Sequence, residues 1–189
     1  MRIGWAPKNT TIMTDFIELA RNRRSIRKYT DQAVEPEKIE KLLQAALMAP
    51  AGKRLNPWEF VVVEDRAILR QMAGCRTYGS QMLEGSPLGI VICADASVSD
   101  TWKFDCAIAA ENILLEAADL GLGACWVQVL DRMVKDDSDE TAEQMVRSLL
   151  GIPEHLNVIC IISVGYKNEE RQPHELEKLQ YDKVHYGKY

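Results

Sequence analysis

Apolar and polar positions alternate along the chain with two periods, and the period changes from segment to segment. From Pro36 to Leu47 the apolar residues Ile39, Leu42, Leu43, Ala46 and Leu47 fall on one helical face. Proline costs this helix nothing at its first turn, where the N–H has no intrahelical partner, and the helix must stop before Pro50. A shorter helix is predicted ahead of it, capped by Thr14-Asp15 and running to about Arg21. Asp105 to Leu120 reads as a long helix with alanine, isoleucine and leucine on more than one side. Such a helix lies at the centre of a domain or against another subunit. Gly121-Leu122-Gly123 ends it, because glycine suits the left-handed cap.

Strands are expected where β-branched residues crowd short runs. These are Glu59 to Glu64, Leu88 to Ala94, Ala124 to Val129 and Val158 to Val164. The second is apolar throughout, the mark of a strand covered on both faces. The acidic stretch Asp136 to Glu140 precedes a helix reaching about Leu150, with negative charge at the favourable end of its dipole. Helices and strands interleave without long linkers or repeats, which predicts an α+β layered fold. One domain is expected over 14–189, after an N-terminal arm of residues 1–13, with Met1 or Met13 as initiator. The tail from about 167 to 189 is too polar for a core. It still carries Leu176, Leu179, Val184 and several tyrosines, enough to pack on a partner subunit.

Composition narrows the class. Hydrophobic residues make up 47% and charged residues 27% of 189 residues, the balance of an ordinary globular protein. No segment approaches the length of a membrane span, and Met1 to Ile12 lack the apolar run of a secretory signal. The cysteines (Cys75, Cys93, Cys106, Cys125, Cys160) are odd in number and widely spaced, which fits a reduced, cytoplasmic protein better than a disulfide framework. Neither they nor His155, His174 and His185 show metal-ligand spacing, so no metal is expected.

Against a net charge of −5, the cluster Arg21, Arg23, Arg24, Arg27 and Lys28 stands out. Three readings are open. The cations can form a solvated helix end, favoured by the dipole. They can form an anion site, because guanidinium groups clasp phosphate in a bidentate fork and Ser25 adds a hydroxyl. Nucleic acid is the weakest reading, since no aromatic interleaving or recognition motif accompanies the charge. Gly121-Leu122-Gly123 does not open a dinucleotide fingerprint, because Trp126 takes the third glycine's place and a strand follows instead of a helix. Trp58 and Trp126 read first as packing residues, and Cys125, in apolar company without an activating base, as an inert thiol.

Arg23-Arg24-Ser25-Ile26-Arg27-Lys28-Tyr29 resembles the Arg-Arg-Ser-x-Arg-x-Phe/Tyr signature of FMN-dependent nitroreductases. Further segments resemble that family in its order. They are Ala49-Pro50-Ala51-Gly52-Lys53-Arg54-Leu55-Asn56-Pro57-Trp58-Glu59-Phe60, then Asp105-Cys106-Ala107 with Asn112 and Leu120 to Trp126. Leu150-Gly151-Ile152-Pro153-Glu154-His155, Val164-Gly165-Tyr166, Arg171-Gln172-Pro173 and His185-Tyr186 follow.

The resemblance implies a three-layer fold, with a central, mostly antiparallel sheet flanked by helices. It also implies an interlocked homodimer with FMN at the subunit interface and the tail around the partner. Arg23, Arg24, Ser25 and Arg27 would hold the phosphate, ribityl chain and pyrimidine end, with Arg171 joining at the phosphate. Pro50, Ala51 and Gly52, on the loop that carries Arg54 and Asn56, would approach from the other subunit, and Cys125 and Trp126 would lie beside the ring.

The implied activity is a ping-pong cycle. NADH or NADPH gives a hydride to the flavin, which then reduces a nitroaromatic, quinone or similar planar acceptor. The cofactor carries the chemistry, so no side chain is expected as general acid, base or nucleophile. Arg27 is the candidate stabiliser of the reduced flavin. Ala51, Arg54 and Asn56 stand where the family has serine, asparagine and glutamine. The first removes a hydroxyl; Arg54 adds a cation that would suit an acidic substrate or an anionic reduced flavin. The alternatives are dehalogenation, enone reduction or flavin destruction on the same fold, and an FMN-binding or storage protein without turnover.

Overall fold

Four strands form one sheet in the order β1-β2-β4-β3, every neighbouring pair antiparallel. They are β1 (Trp58–Val63), β2 (Leu88–Asp95), β3 (Gly123–Gln128) and β4 (Leu156–Gly165). Among the described residues five α-helices accompany them: α1 (Phe16–Asn22), α2 (Pro36–Leu47), α3 (Arg66–Ala73), α4 (Trp102–Asp119) and α5 (Ala142–Leu150). The computed structural model describes residues 15–189. The arm expected over 1–13 and the Thr14 cap lie outside the described residues. Asp15 does cap α1, accepting a bond from the Ile17 N–H at 2.9 Å.

Side chains of the central strands alternate between two cores. Ile90, Ile92, Ile162 and Val164 meet α2 and α4 on one face, with Cys106, Ala109, Ile113 and Ala117 supplying the α4 side. Val91, Cys93, Val127 and Ile161 meet α3 and α5 on the other, against Leu69, Met72, Ala142 and Val146. The helices therefore cover both faces, which gives the three layers. Alternation breaks once, at a register shift between Ile92 and Cys93. Opposite that shift Ile159 and Cys160, neighbours in sequence, both face the α2–α4 core. All five cysteines are free and buried, and burial pushes the Cys93 and Cys106 thiols up to about 12.

Differences from the sequence reading have local causes. α3 was not expected: Asp65 caps it through the Ala67 and Ile68 N–H groups at 2.7 and 3.3 Å. α4 starts at Trp102, ahead of Asp105. The acidic stretch 136–140 precedes α5 as expected; Thr141 caps that helix in a reciprocal box with Gln144, and Glu143 is the acidic residue of its first turn. The sheet agrees with the mostly antiparallel one expected: its strand pairs are all antiparallel, and a parallel bridge joins Ser25 to Ala124 at the edge of β3.

Several large apolar side chains remain outside both cores. Phe104 and Ile108 on α4 are 72% and 40% exposed, and Phe16, Met48, Tyr181 and Tyr186 are exposed as well. Every residue from 171 to 189 is exposed. No helix among the described residues is long and apolar enough to cross a membrane. Asp65→Ala is expected to destabilise the fold by about 1 kcal/mol through loss of the α3 cap. A lower urea midpoint at unchanged slope would register it.

Candidate functional site

The basic segment is not a helix end. α1 stops at Asn22, and Arg23 already has extended angles (φ −63°, ψ 121°); of the cluster, only Arg21 lies in the last helical turn. The chain then runs along the free edge of β3. Ser25 bridges Ala124 in parallel register, and the Ile26 N–H donates to the Ala124 carbonyl at 3.0 Å. Further on, the Thr30 N–H donates to the Tyr166 carbonyl at 2.9 Å.

Ile26 and Tyr29 anchor this segment, at 4% and 8% exposure. Both fit because the sheet has no side chain beneath them. Gly123 and Gly165 oppose each other in the β3–β4 ladder. A Cβ on Gly123 would come within 2.6 Å of Ile26, and one on Gly165 within 3.0 Å of the Tyr29 ring and 2.6 Å of Pro87. The Tyr29 hydroxyl bonds the Ile26 carbonyl at 2.6 Å and shares a 2.8 Å bond with Ser163 Oγ. Burial raises its pKa strongly. Anchored this way, the segment turns Arg27 and Lys28 outward.

The stretch after β4 returns along the same path. Asn168 N–H donates to the Lys28 carbonyl at 2.9 Å, and His174 N–H to the Arg21 carbonyl at 3.0 Å. Arg21 Nε donates to the His174 carbonyl at 3.1 Å, and Arg24 Nη1 donates to the Gln172 carbonyl. Arg171 thereby arrives beside the basic segment. Arg23, Arg24, Ser25, Arg27, Arg171 and His174 line one cleft of about 260 Å³. A larger one of about 700 Å³ lies next to it, with Arg23, Arg24 and Arg171 on its polar side and Leu114, Ala118 and Leu122 on its apolar side.

Most guanidinium donors of the cleft are uncommitted. Arg27 reaches the Ser25 carbonyl at 3.5 Å, and Arg23 reaches Glu111 only at 3.9 Å, on an exposed carboxylate. Glu169 is the acid within the cluster. It accepts the Arg27 N–H at 2.6 Å and an Arg171 Nη2 bond at 2.8 Å. The Arg27 N–H, followed by the Arg171 charge, holds its carboxyl below the usual carboxylate range.

The other expected site residues lie apart from this cleft. Pro50 is exposed, Ala51 and Gly52 are half-buried, and Arg54 and Asn56 are exposed. None of residues 50–56 lines either cavity along the basic segment. Their loop is clamped from below by Asp105, 3% exposed. That carboxylate accepts the Gly52 N–H at 2.9 Å and the Ser99 and Thr101 hydroxyls at 3.1 and 3.0 Å. A Cβ on Gly52 would strike Thr101 at 2.4 Å. Lys53, Arg54 and Asn56 all have positive φ (52°, 58° and 46°). Three non-glycine residues in the left-handed region store backbone strain in this loop.

Cys125 and Trp126 point to opposite faces of β3. Cys125 is buried in the α3–α5 core, where burial raises its pKa although Arg27 opposes the shift; it is an inert thiol. Trp126 packs against the α2–α4 core and donates to Gln128 Oε1 at 3.0 Å. Asp105, Glu169, Gln172 and His174 were given no role from sequence. For Asp105 the available hint was an acid four residues after Thr101 of the Ser99-Asp100-Thr101 run. Among the described residues no group of three or more His, Cys, Asp or Glu could hold a metal ion.

The model of the nitroreductase family matches residues 20–75 and 71–166, a span that includes the basic segment, the clamped loop and the whole sheet. The chain belongs to the nitroreductase family. An FMN-dependent nitroreductase from Clostridium difficile R20291 superposes with a TM-score of 0.89 at 45% identity, over 92% of this chain and 99% of that one. A relative from Archaeoglobus fulgidus, provisionally named an NADH dehydrogenase/NAD(P)H nitroreductase, is 39% identical over 94% of this chain and 100% of its own length. The crystal structure of a Bacteroides thetaiotaomicron protein with the same provisional name has a TM-score of 0.83 at 38% identity, covering 92% and 97% of the two chains. The three-layer arrangement is thus the nitroreductase fold, and the chain is an oxidoreductase of that type.

Gly123→Ala in this nitroreductase is expected to cost about 1–3 kcal/mol, because the new methyl must displace the buried, β-branched Ile26. Gly85→Ala, where a Cβ meets nothing within 4 Å, serves as the control. Equal denaturation midpoints for the two variants would contradict the seating of Ile26 against Gly123.

Proposed function

We propose that the protein is a homodimeric, FMN-dependent NAD(P)H oxidoreductase that reduces nitroaromatic, quinone or similar planar acceptors. One observation carries this reading: Arg23, Arg24, Ser25 and Arg27 share a cleft with Arg171, which comes from the far end of the chain. A phosphate monoester needs several donors on one side, and guanidinium groups with uncommitted N–H supply them in the geometry phosphate prefers. The residues present therefore fit the phosphate end of FMN. Bound there, FMN would supply the hydride chemistry, between NADH or NADPH and the acceptor, which no side chain of this chain can perform.

The chain's own contribution is binding and electrostatics. Arg23, Arg24 and Arg171 hold the phosphate, and Ser25 adds a hydroxyl. Arg27, fixed through its backbone N–H on Glu169, directs a cation toward the ring end. Pro50, Ala51, Gly52, Arg54 and Asn56 do not reach the cleft of their own subunit, and in this reading they serve the cleft of a second copy, with Cys125 and Trp126 on the strand beneath. The exposed Phe104 and Ile108 and the exposed tail support such a partner. Five buried free thiols accord with a reducing, cytoplasmic setting. Among the described residues every arginine but Arg54 and Arg70 donates a side-chain hydrogen bond or ion pair. Arg54 is thus available to an acceptor that carries negative charge.

Titrating the purified protein with FMN, then adding NADH or NADPH and a panel of nitro and quinone acceptors, tests the reading. Stoichiometric FMN binding and acceptor-dependent consumption of the nicotinamide are expected, with a dimer in sedimentation. Arg27→Gln is expected to weaken FMN by about tenfold, the size of one charge-assisted contact. A protein that gains no flavin absorbance would overturn the proposal, and tight FMN without turnover would reduce it to a flavin-binding protein.

A further inference from the structure

Glu169 lines the larger cavity and joins Arg27 to Arg171 of the cationic cleft, and its placement can be weighed two ways. A carboxylate repels an incoming phosphate, which argues against binding. It also orders the guanidinium it touches, which argues for it. The geometry decides between them. Both carboxylate oxygens are taken: Oε1 by the Arg27 N–H at 2.6 Å and Oε2 by Arg171 Nη2 at 2.8 Å. The next residue back, Asn168, fixes the backbone by its 2.9 Å bond to the Lys28 carbonyl. The Glu169 side chain is 12% exposed, while Arg171 is 45% exposed and makes no other side-chain bond to a described residue.

Without Glu169, Arg171 would be a long side chain on an exposed tail, free to sample solvent. Ordering such a side chain at the moment of binding subtracts from affinity. The charge of Glu169 is already met by two donors, so its residual repulsion at the cleft is small. We infer that Glu169 is a positioning residue for cofactor binding, holding the Arg171 guanidinium beside Arg23, Arg24 and Arg27 before a phosphate monoester arrives. The inference rests on the proposed FMN site. It adds that the affinity for the phosphate group is set partly by a residue that never touches it.

Paired affinities for FMN and riboflavin isolate the phosphate, and equilibrium fluorescence quenching measures both without turnover. The quantity read is the ratio of the riboflavin Kd to the FMN Kd. Glu169→Gln keeps an oxygen for the Arg27 N–H but loses the ion pair. It is expected to lower the ratio roughly fivefold, the share that pre-ordering one long side chain supplies. In an Arg171→Gln background, where nothing is left to position, the same substitution should change the ratio by less than about twofold. A ratio that is unchanged or raised by Glu169→Gln overturns the inference, as does an equal fall in both backgrounds. Failure of the unsubstituted protein to bind either flavin instead overturns the proposed function on which it rests.

Discussion

Steric room between β3 and the segment beside it decides where every charge of the cleft ends up. Gly123 and Gly165 face each other across the β3–β4 ladder, and the space that two side chains would have filled receives Ile26 and Tyr29. Burial of those two residues lies well within the range of a few kcal/mol that large apolar side chains provide. That energy holds a run of cations along a sheet edge, where their mutual repulsion alone would drive them apart. Apolar packing fixes the backbone, and the backbone fixes the direction of Arg23, Arg24 and Arg27. Electrostatics then acts on a geometry it did not create.

The polar contacts of the cleft have a different logic. Arg24, Arg27 and Arg21 donate to main-chain carbonyls of Gln172, Ser25 and His174, not chiefly to carboxylates. A carbonyl orders a guanidinium without cancelling its charge, so the cleft stays positive in a protein of net charge −5. Where a carboxylate does intrude, at Glu169, it is shared between a main-chain N–H and Arg171. On the opposite flank Asp105 does a related job with no cation at all, meeting an N–H and two hydroxyls. Both acids are spent on holding segments in place.

Periodicity made α2, α4 and the strands legible because each buries enough apolar surface to impose its period on the sequence. α3 escaped because it is short and amphipathic, with Arg66, Arg70 and Gln71 interrupting Ile68, Leu69 and Met72; the Asp65 cap was the readable sign. The cations of the cleft were legible by residue type, and their resemblance to a family motif implied a phosphate as the group they would hold. Their partners were not. Arg24 finds a main-chain carbonyl 148 positions away and Arg27 a carboxylate 142 positions away. A carbonyl belongs to every residue, so no side-chain pattern marks it. The strain at Lys53, Arg54 and Asn56 was equally hidden, since none of them is the glycine that normally announces a left-handed turn.

The lacing between the basic segment and the stretch after β4 has a consequence for how the protein comes into being. The basic segment emerges early in synthesis, yet Glu169, Arg171 and Gln172 emerge only after all four strands. Closing such a long loop in the bare chain would cost entropy, a cost already met once the sheet has drawn its ends together. A nascent chain can therefore build both cores while its cationic edge still lacks Glu169 and Arg171. A chain that ended before Arg171 would keep every residue of both cores and lack the side of the cleft that Arg171 and His174 supply.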